Sequence, residues 1–381
     1  DFYFFDGNEF ESGDQYNKVL GDKIYYNFTN TVDWLGYFVQ AEYSGDKITA
    51  YGTFGNSYTK YSYVNHFVQD PTDATKELTT ETDFMMGYQI KGGVAYRPIK
   101  QIKIFANLGY ISKAPIFDNV INDRDATVAA DPQNEIFQAV EGGILYKTLN
   151  NVLTVSANYY FTAWLNRSMN IGITNQDGSE GYIFVNGMDQ LHRGYELEAH
   201  VRPAKFIGFG LIGSIGNWVY LNDVQGTYKD YAGGTESDES YDFYVRGLKV
   251  GDAPQTQYAA LIKLFPVKGL TIQIDGRYYT NYYADWDPFS RTNDDGLQVW
   301  KVPAYTLLDG HISYDFKIAD KFGFTIFGHM FNILDAVYVQ DATDNSRYNA
   351  YPYGNSSHDA NSAEVFLGLP RSFNVGMRFN F

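Results

Sequence analysis

Apolar and polar residues alternate along several stretches of the chain, most regularly at its carboxyl-terminal end. Large apolar side chains occupy every second position there: Phe373, Val375, Met377, Phe379 and Phe381. Small, polar or charged residues fill the positions between them: Ser372, Asn374, Gly376, Arg378 and Asn380. Successive residues of an extended strand point to opposite faces, so this pattern predicts a β-strand with one wholly apolar face.

The same period marks about thirteen candidate strands. They start near Trp34, Lys47, Met86, Ile102, Ile136, Leu153, His192, Phe206, Gln257, Leu270, Tyr305, Phe322 and Ser372. Every second connection is a tight turn: Ser44–Asp46, Arg97–Lys100, Lys147–Asn150, Arg202–Lys205, Pro266–Gly269 and Ile318–Lys321. The connections between these turns are long and rich in Asp, Asn, Gly and Tyr: Lys60–Thr82, Lys113–Asn134, Asn222–Pro254, Asp285–Pro303 and Asp335–Pro370.

Short turns at one end and long loops at the other are typical of bacterial outer-membrane barrels. The sequence therefore predicts an all-β fold, a transmembrane antiparallel β-barrel in which each strand pairs with its neighbour in the chain. We expect its lipid face to carry Leu270, Ile272, Ile274, Phe373, Val375, Met377 and Phe379. We expect its lumen face to carry Gln273, Asp275, Arg277, Asn374 and Arg378. An Arg or Lys on the lipid side costs about 2 to 4 kcal/mol at mid-membrane depth, which fixes this parity.

Composition agrees with a barrel and excludes some other classes. Aromatic residues make up 18% of the 381 residues, yet the mean hydropathy is only −0.34, as expected where only alternate residues meet lipid. The formal net charge of −16 argues against a nucleic-acid partner, which requires a basic surface. Cys is absent, which excludes disulfides and thiol chemistry. The chain opens at Asp1 without an initiating Met or a secretion signal, so we expect it to begin inside a longer protein.

Aromatic residues gather where strands run into the long loops, and four of them are candidates for ligand binding: Trp218, Tyr282, Tyr283 and Trp286. The alternative is an interfacial girdle of the kind that outer-membrane barrels carry. Stacking on a ligand would use the exposed ring faces.

Catalytic and metal-binding patterns are weak in this sequence. There is no Gly-rich phosphate loop, zinc pattern or nucleophile elbow, so we expect neither enzyme activity nor a cofactor. Acidic loop residues could gather a calcium ion, but we prefer to interpret them as plain solvated loops. They are Asp223, Asp238, Glu239, Asp242, Asp294 and Asp295. The spacing of Glu196 and Glu198 on one strand face also suits a glycosidase pair, although no substrate cleft accompanies it.

Six stretches resemble TonB-dependent receptors of the Bacteroidota type. They are Trp34–Tyr43 (WLGYFVQAEY), Ala106–Pro115 (ANLGYISKAP), His192–Glu198 (HRGYELE), Val250–Thr256 (VGDAPQT), Phe331–Asp335 (FNILD) and Gly368–Arg371 (GLPR), the last leading to Phe381. The resemblance implies a barrel of 22 strands, of which this chain would supply the carboxyl-terminal part without the amino-terminal plug. We expect residues 33–381 to form barrel strands and residues 1–32 to be an extracellular loop or the end of an earlier strand.

The resemblance also implies partners and a role. These are outer-membrane lipid, TonB acting through a plug outside this chain, a surface lipoprotein, and the barrel-assembly machinery, which would read the terminal Phe381. The implied function is energised import of a scarce ligand, which in this family is a metal chelate, vitamin, glycan or peptide. The alternative is a receptor-like barrel that scaffolds a larger outer-membrane complex, or a passive pore.

Two further expectations concern strand pairing. An odd number of strands cannot close an antiparallel barrel, so the sheet should be open unless Phe2–Phe5 supplies a fourteenth strand next to Phe373–Phe381. If pairing runs in register from the turn at Ile318–Lys321, Tyr314 lies opposite Phe324. Asp309 then meets His329 in the lumen, in a contact that stiffens the wall, whereas a two-residue shift would separate them.

Overall fold

The structure, a computed structural model, describes residues 20–21, 23, 27–121, 126, 128–129, 132–174, 180–230, 239–318, 322–346 and 357–380. Its principal sheet contains β1 (Phe28–Ser44), β2 (Ile48–Asp70), β3 (Asp73–Glu81), β4 (Met85–Ile99), β5 (Ile102–Lys113), β6 (Glu135–Lys147), β7 (Leu153–Thr174), β8 (Glu180–Ala204), β9 (Ile207–Tyr220), β10 (Val224–Asp230), β11 (Glu239–Phe243), β12 (Thr256–Leu264), β13 (Leu270–Thr280), β17 (Tyr305–Ile318), β18 (Phe322–Phe331) and β21 (Ser372–Asn380). The loops also carry η1 (Phe117–Asn119), β14 (Tyr282–Tyr283), β15 (Asp285–Trp286), η2 (Pro288–Ser290), β16 (Lys301–Val302), β19 (Val339–Asp344) and β20 (Glu364–Leu367).

The principal sheet is a continuous antiparallel meander. Its strands follow the order β1-β2-β4-β5-β6-β7-β8-β9-β12-β13-β17-β18-β21, and β3, β10 and β11 branch from it near the loops. Every pair along this path joins strands that are neighbours in the chain once the loop strands are set aside. The predicted meander is therefore confirmed within the described residues.

Short turns alternate with long connections, as the sequence predicts. Connections of two to five residues join β1 to β2, β4 to β5, β6 to β7, β8 to β9 and β12 to β13. The turn between β17 and β18 falls on residues 319–321, outside the described residues. Because the short turns lie at one end of the sheet, all the long connections lie at the other.

The long connections carry more structure than the sequence suggests. The expected loop Lys60–Thr82 is wrong, since β2 runs on to Asp70 and returns as β3 in an antiparallel pair. In the same way β7 and β8 extend together to Thr174 and Glu180. Tyr, Thr and Val in these segments favour strands even though they do not alternate with polar residues. The first strand, β1, begins at Phe28, within residues 1–32, which we expected to precede the barrel strands.

The two faces of the sheet differ as predicted. Large apolar side chains are exposed on one face, with Ile274 at 44%, Ile312 at 50% and Met377 at 67%. On the opposite face polar side chains bond to one another, as where Gln273 donates to the Asp275 carboxylate at 3.0 Å. The expected separation of faces is confirmed, and contact of the apolar face with lipid stays a prediction.

The sheet is open within the described residues. β1 and β21 end the path and do not pair with each other. Phe2–Phe5, the possible fourteenth strand, and Phe381 lie outside the described residues. None of the helical segments in the described part of the chain is long and apolar enough to cross a membrane.

Buried side chains cluster among the long connections at one end of the sheet rather than along one of its faces. One cluster lies under the β10–β11 hairpin and includes Val185, Met188, Phe243 and Trp286. A second lies around Tyr63, where β2 has extended past its pairing with β4 and pairs with β1 and β3. A third lies beside β14 and β16. The long connections are thus packed against one another, and they position the candidate site.

Candidate ligand-binding region

The four aromatic candidates lie close to one another in the loop region. Trp218, near the end of β9, is partly exposed on the polar face of the sheet. Its indole N–H donates to the Tyr160 hydroxyl at 2.9 Å, and its ring centroid lies 5.4 Å from that of His192. Trp218 and Tyr283 both pack against the cluster that contains Trp286.

Two of the four candidates are buried by the loops around them. Trp286 is 6% exposed and makes edge and tilted contacts with Tyr220 and Phe243, with ring centroids 6.3 and 5.9 Å away. Tyr282 is 2% exposed, and its hydroxyl donates to the Gln340 carbonyl at 2.6 Å. Burying each ring stabilises the packed loops by about 1.5 to 3 kcal/mol. Trp286 and Tyr282 therefore hold loops together, which leaves Trp218 and Tyr283 as the candidates with accessible ring surface.

Gln255 fixes the backbone of Trp218, a role that reasoning from the sequence missed. Its amide oxygen accepts from the Trp218 N–H at 2.9 Å. Its amide nitrogen donates to the carbonyls of Trp218 and Val250, both at 3.0 Å. Gln255 belongs to the VGDAPQT stretch, so the only signal for this role was the family resemblance of that motif.

The VGDAPQT motif packs closely against β15, the strand that carries Trp286. A Cβ atom on Gly251 would lie 2.3 Å from Asp285 Oδ1 and 2.7 Å from the Asp285 backbone nitrogen, so only glycine fits here. The next residue, Asp252, has a φ of 66°. Burial, followed by the hydrogen bond and like charge of Asp252, raises the pKa of Asp285 to about 7.

The expected contact between Asp309 and His329 is wrong. Ile318 pairs with Phe322 and Tyr314 with Ile326, so the register is shifted by two residues from the expected one. The shift keeps every side chain on its expected face, but it places His311 opposite His329, with their Nδ1 atoms 2.8 Å apart. Asp309 instead accepts from Arg277 and from the Asn332 backbone N–H, the latter at 2.8 Å.

The acidic loop residues do not form a calcium site in the part of the chain that is described. No group of three or more His, Asp or Glu side chains there is arranged to hold a metal ion. Asp295 binds Arg291 and His358, and Asp223 accepts from the Arg246 backbone N–H at 2.9 Å. Asp238 lies outside the described residues.

Comparison with protein families decides which class of barrel this is. Residues 1–333 match the family described as TonB dependent receptor-like, beta-barrel. The chain belongs to this family. The barrels of TonB-dependent receptors are outer-membrane proteins that act with TonB, and the similar structures are described as receptors and transporters.

Solved structures of several receptors and transporters share the fold of this chain. It is similar to the siderophore receptor PiuA from Acinetobacter baumannii, with 15% identity, a TM-score of 0.58, and 92% of this chain and 43% of PiuA covered. The ferric citrate transporter FecA has 12% identity and a TM-score of 0.62, covering 95% of this chain and 47% of FecA. The ferric-catecholate import receptor Fiu from K12 E. coli has 12% identity and a TM-score of 0.54, covering 92% and 45%.

The receptor chain spans less than half the length of these structures. No curated protein matches it. At these identities the likeness shows the fold alone.

Proposed function

We propose that this chain supplies wall strands of a TonB-dependent receptor, of the Bacteroidota type, that takes part in energised import of a scarce ligand. The observation that carries the proposal is the antiparallel path with an apolar outer face and a hydrogen-bonded polar inner face. This arrangement suits a wall between lipid and a polar passage. The packed loops at one end supply a surface for capturing a ligand.

The complete receptor in this proposal has 22 strands and an amino-terminal plug, and this chain supplies its carboxyl-terminal strands. Two observations support a larger barrel: β1 and β21 do not pair with each other in the described sheet, and the chain spans 43 to 47% of the similar transporters. Unpaired strand edges are costly in lipid, because their backbone groups have no water to bind. TonB would act through the plug, a surface lipoprotein would assist at the loops, and the barrel-assembly machinery would insert the barrel.

Trp218 and Tyr283 are the ligand-contacting residues in this proposal. Both are partly exposed, and the bonds from Gln255 fix the backbone at Trp218. An aromatic ring held by a rigid backbone loses little entropy on binding. Ferric and copper chelates are the first ligands to test, because the similar structures include siderophore, ferric citrate and copper transporters.

Uptake by whole cells tests this proposal. Cells producing the full-length receptor would be given a panel of radiolabelled ferric and copper chelates, with TonB present or deleted. Import of at least one chelate that is lost on deleting TonB supports the proposal. Equal uptake without TonB would instead indicate a passive pore, and no uptake with a stable larger complex would indicate a scaffold.

A matched pair of variants locates the ligand surface. Trp218→Ala should weaken ligand binding about tenfold or more, since stacking contacts are worth about 0.5 to 1.5 kcal/mol beyond the area they bury. Tyr195→Ala removes an aromatic that is 67% exposed on the apolar face, so it should leave binding unchanged. Equal effects of the two substitutions on the dissociation constant would exclude Trp218 as a contact.

A further inference from the structure

A buried network of charged side chains joins two of the long connections. Arg291 follows η2, and its side chain is 2% exposed; Asp344 ends β19, and its side chain is fully buried. One terminal nitrogen of Arg291 donates to Asp344 Oδ2 at 3.1 Å. The other donates to Asp295 Oδ1 at 3.2 Å and to the Leu297 carbonyl at 3.0 Å.

His358 completes the network from a third segment. Its side chain is 2% exposed, and its Nε2 atom lies 2.8 Å from Asp295 Oδ2. Its Nδ1 atom bonds to Asp344 Oδ2. Its Nδ1 atom also lies 2.9 Å from the Arg291 terminal nitrogen that bonds to the same Asp344 oxygen. Each ring nitrogen nevertheless has a carboxylate oxygen within hydrogen-bond distance, and only the imidazolium form carries an N–H on both nitrogens.

The charges of the network balance only when His358 is protonated. Arg291 contributes one positive charge, and Asp295 and Asp344 contribute one negative charge each. With neutral His358 the group would carry a net negative charge. Asp295 is 31% exposed and partly screened by water, but Asp344 is fully buried, where an unbalanced charge is costly. Arg291, Asp295 and Asp344 are the charged groups that act on the His358 ring.

The titration of His358 fits this balance. Burial and the neighbouring Arg291 charge lower the pKa of His358, but the hydrogen bond and charge of Asp344, with the hydrogen bond to Asp295, raise it above its usual value overall. For Asp295, burial raises the pKa, and the Leu297 backbone N–H, His358 and Arg291 together bring it below its usual value.

Backbone hydrogen bonds join the residues of this network to neighbouring segments. The Trp300 N–H donates to Asp344 Oδ1 at 3.0 Å, and the Tyr244 N–H donates to the Arg291 carbonyl at 2.8 Å. The His358 N–H donates to Asn345 Oδ1 at 3.1 Å. The network therefore holds the segment before β12, the connection between β13 and β17, and the connection between β18 and β21.

We propose that Arg291, Asp295, Asp344 and His358 form a proton-dependent clasp that holds these three connections together as one unit. The clasp is closed when His358 is an imidazolium and loosens when His358 loses its proton. Its action does not depend on which ligand the receptor imports, or on import itself. In the closed state the connections move together, so Trp286 and the strands β15 and β19 stay in contact.

The direction of the pH effect follows from the raised pKa. His358 holds its proton more tightly in the closed state than in the open state, where we expect an ordinary His pKa near 6.5. Stabilisation by His358 is thus complete below about pH 6.5 and is lost as the pH rises through its raised pKa. Within that window one proton is exchanged, so the opening constant should rise about tenfold per pH unit.

Hydrogen–deuterium exchange of the full-length receptor in lipid vesicles tests the clasp. Exchange rates, corrected for the intrinsic pH dependence, would be followed in peptides containing Tyr244, Leu297 and Trp300. Peptides from β12 and β13 report whether the barrel wall is intact. In the native protein the three loop peptides should lose protection together above about pH 6.5, while the wall peptides stay protected.

Three variants separate the clasp from a general loosening of loops. His358→Gln cannot become charged and should make the loop peptides exchange rapidly at every pH. His66→Gln is the control, because His66 bonds to one carboxylate, Glu77 at 3.0 Å, rather than two, and its side chain is 30% exposed. This control should keep the native pH profile.

Asp295→Asn provides an independent test should His358→Gln fail to fold. It leaves His358 with one carboxylate, so protection should be lost at a lower pH than in the native protein. A native profile in His358→Gln, an unshifted profile in Asp295→Asn, or exchange that does not depend on pH in the native loops would each overturn the proposal.

Discussion

Asp309 offers a sharp test of how the inner face of the wall is stabilised. Its side chain is 7% exposed and has two partners: Arg277, whose side chain is 38% exposed, and the buried Asn332 N–H at 2.8 Å. Asp309→Ala removes both bonds. Asp309→Asn keeps an amide oxygen for the Asn332 N–H and removes only the ion pair.

The expected costs follow from these contacts. An ion pair with one partner more than a third exposed is worth about 1 kcal/mol or less. Leaving the buried Asn332 N–H without an acceptor costs about 1 to 3 kcal/mol. Asp309→Asn should therefore lower the free energy of unfolding by about 1 kcal/mol, and Asp309→Ala by about 2 to 4 kcal/mol.

Urea unfolding of the full-length receptor in lipid vesicles, followed by Trp fluorescence, measures both values. Arg277→Gln should cost more than Asp309→Asn, because it leaves the buried Asp309 carboxylate without its counter-ion. The double variant should cost less than the sum of the two, because both changes remove the same ion pair. Equal destabilisation by Asp309→Asn and Asp309→Ala would refute the role given to the Asn332 bond. Fully additive effects in the double variant would refute the ion pair.

Three other outcomes are expected. Ile274→Lys, on the exposed apolar face, should destabilise the membrane-inserted receptor by about 2 to 4 kcal/mol. Gln273→Lys, on the opposite face, should change the unfolding free energy by less than about 1 kcal/mol. Equal costs would show that the faces assigned to Ile274 and Gln273 are wrong. Gly251→Ala should cost about 1 to 3 kcal/mol and expose Trp286 to a fluorescence quencher, because a Cβ atom would lie 2.3 Å from Asp285 Oδ1; unchanged quenching would contradict it. Since the pKa of Asp285 is raised to about 7, the stabilisation by its protonated form is present below about pH 4 and lost as the pH rises through about 7. Asp252→Asn should lessen this loss in hydrogen exchange around residue 285, and an identical pH profile would show that Asp252 does not raise the pKa of Asp285.

The strand pattern of the wall could be predicted from the sequence because its cause is local. Alternation along Leu270–Arg277 fixes which face is apolar, and the turn at Pro266–Gly269 fixes where β13 begins. A shift of one residue would place every charged side chain on the apolar face. Because such a one-residue shift would be so costly, the face on which each side chain lies can be predicted from a single sequence.

Register between β17 and β18 could not be predicted in the same way. A shift of two residues leaves each side chain on its face, so the apolar pattern does not distinguish the contact of His329 with Asp309 from that with His311. The connection between Ile318 and Phe322 decides the register. Its length, rather than the pattern of the strands, was the missing information.

The loop region was predicted least well, since its contacts join residues that are distant in the chain. Arg291 lies 53 residues from Asp344 and 67 from His358, and no period relates these positions. Trp286 was identified as a loop aromatic, but its burial depends on Phe243 and Tyr220 from other connections. Packing between loops requires the fold before it can be seen.

Contact of the apolar face with membrane lipid is the claim on which the proposed function depends, and the absence of Cys makes it directly measurable. Single Cys residues would be introduced at each position from Leu270 to Tyr279 in the full-length receptor, labelled with a nitroxide in lipid vesicles, and tested for collision with oxygen and with a water-soluble relaxation agent. Oxygen should reach labels at Leu270, Ile272, Ile274, Gly276 and Tyr278, while the odd-numbered positions from Thr271 to Tyr279 should favour the aqueous agent, giving a period of two residues. Uniform accessibility, or the opposite alternation, would contradict a membrane wall built from these strands.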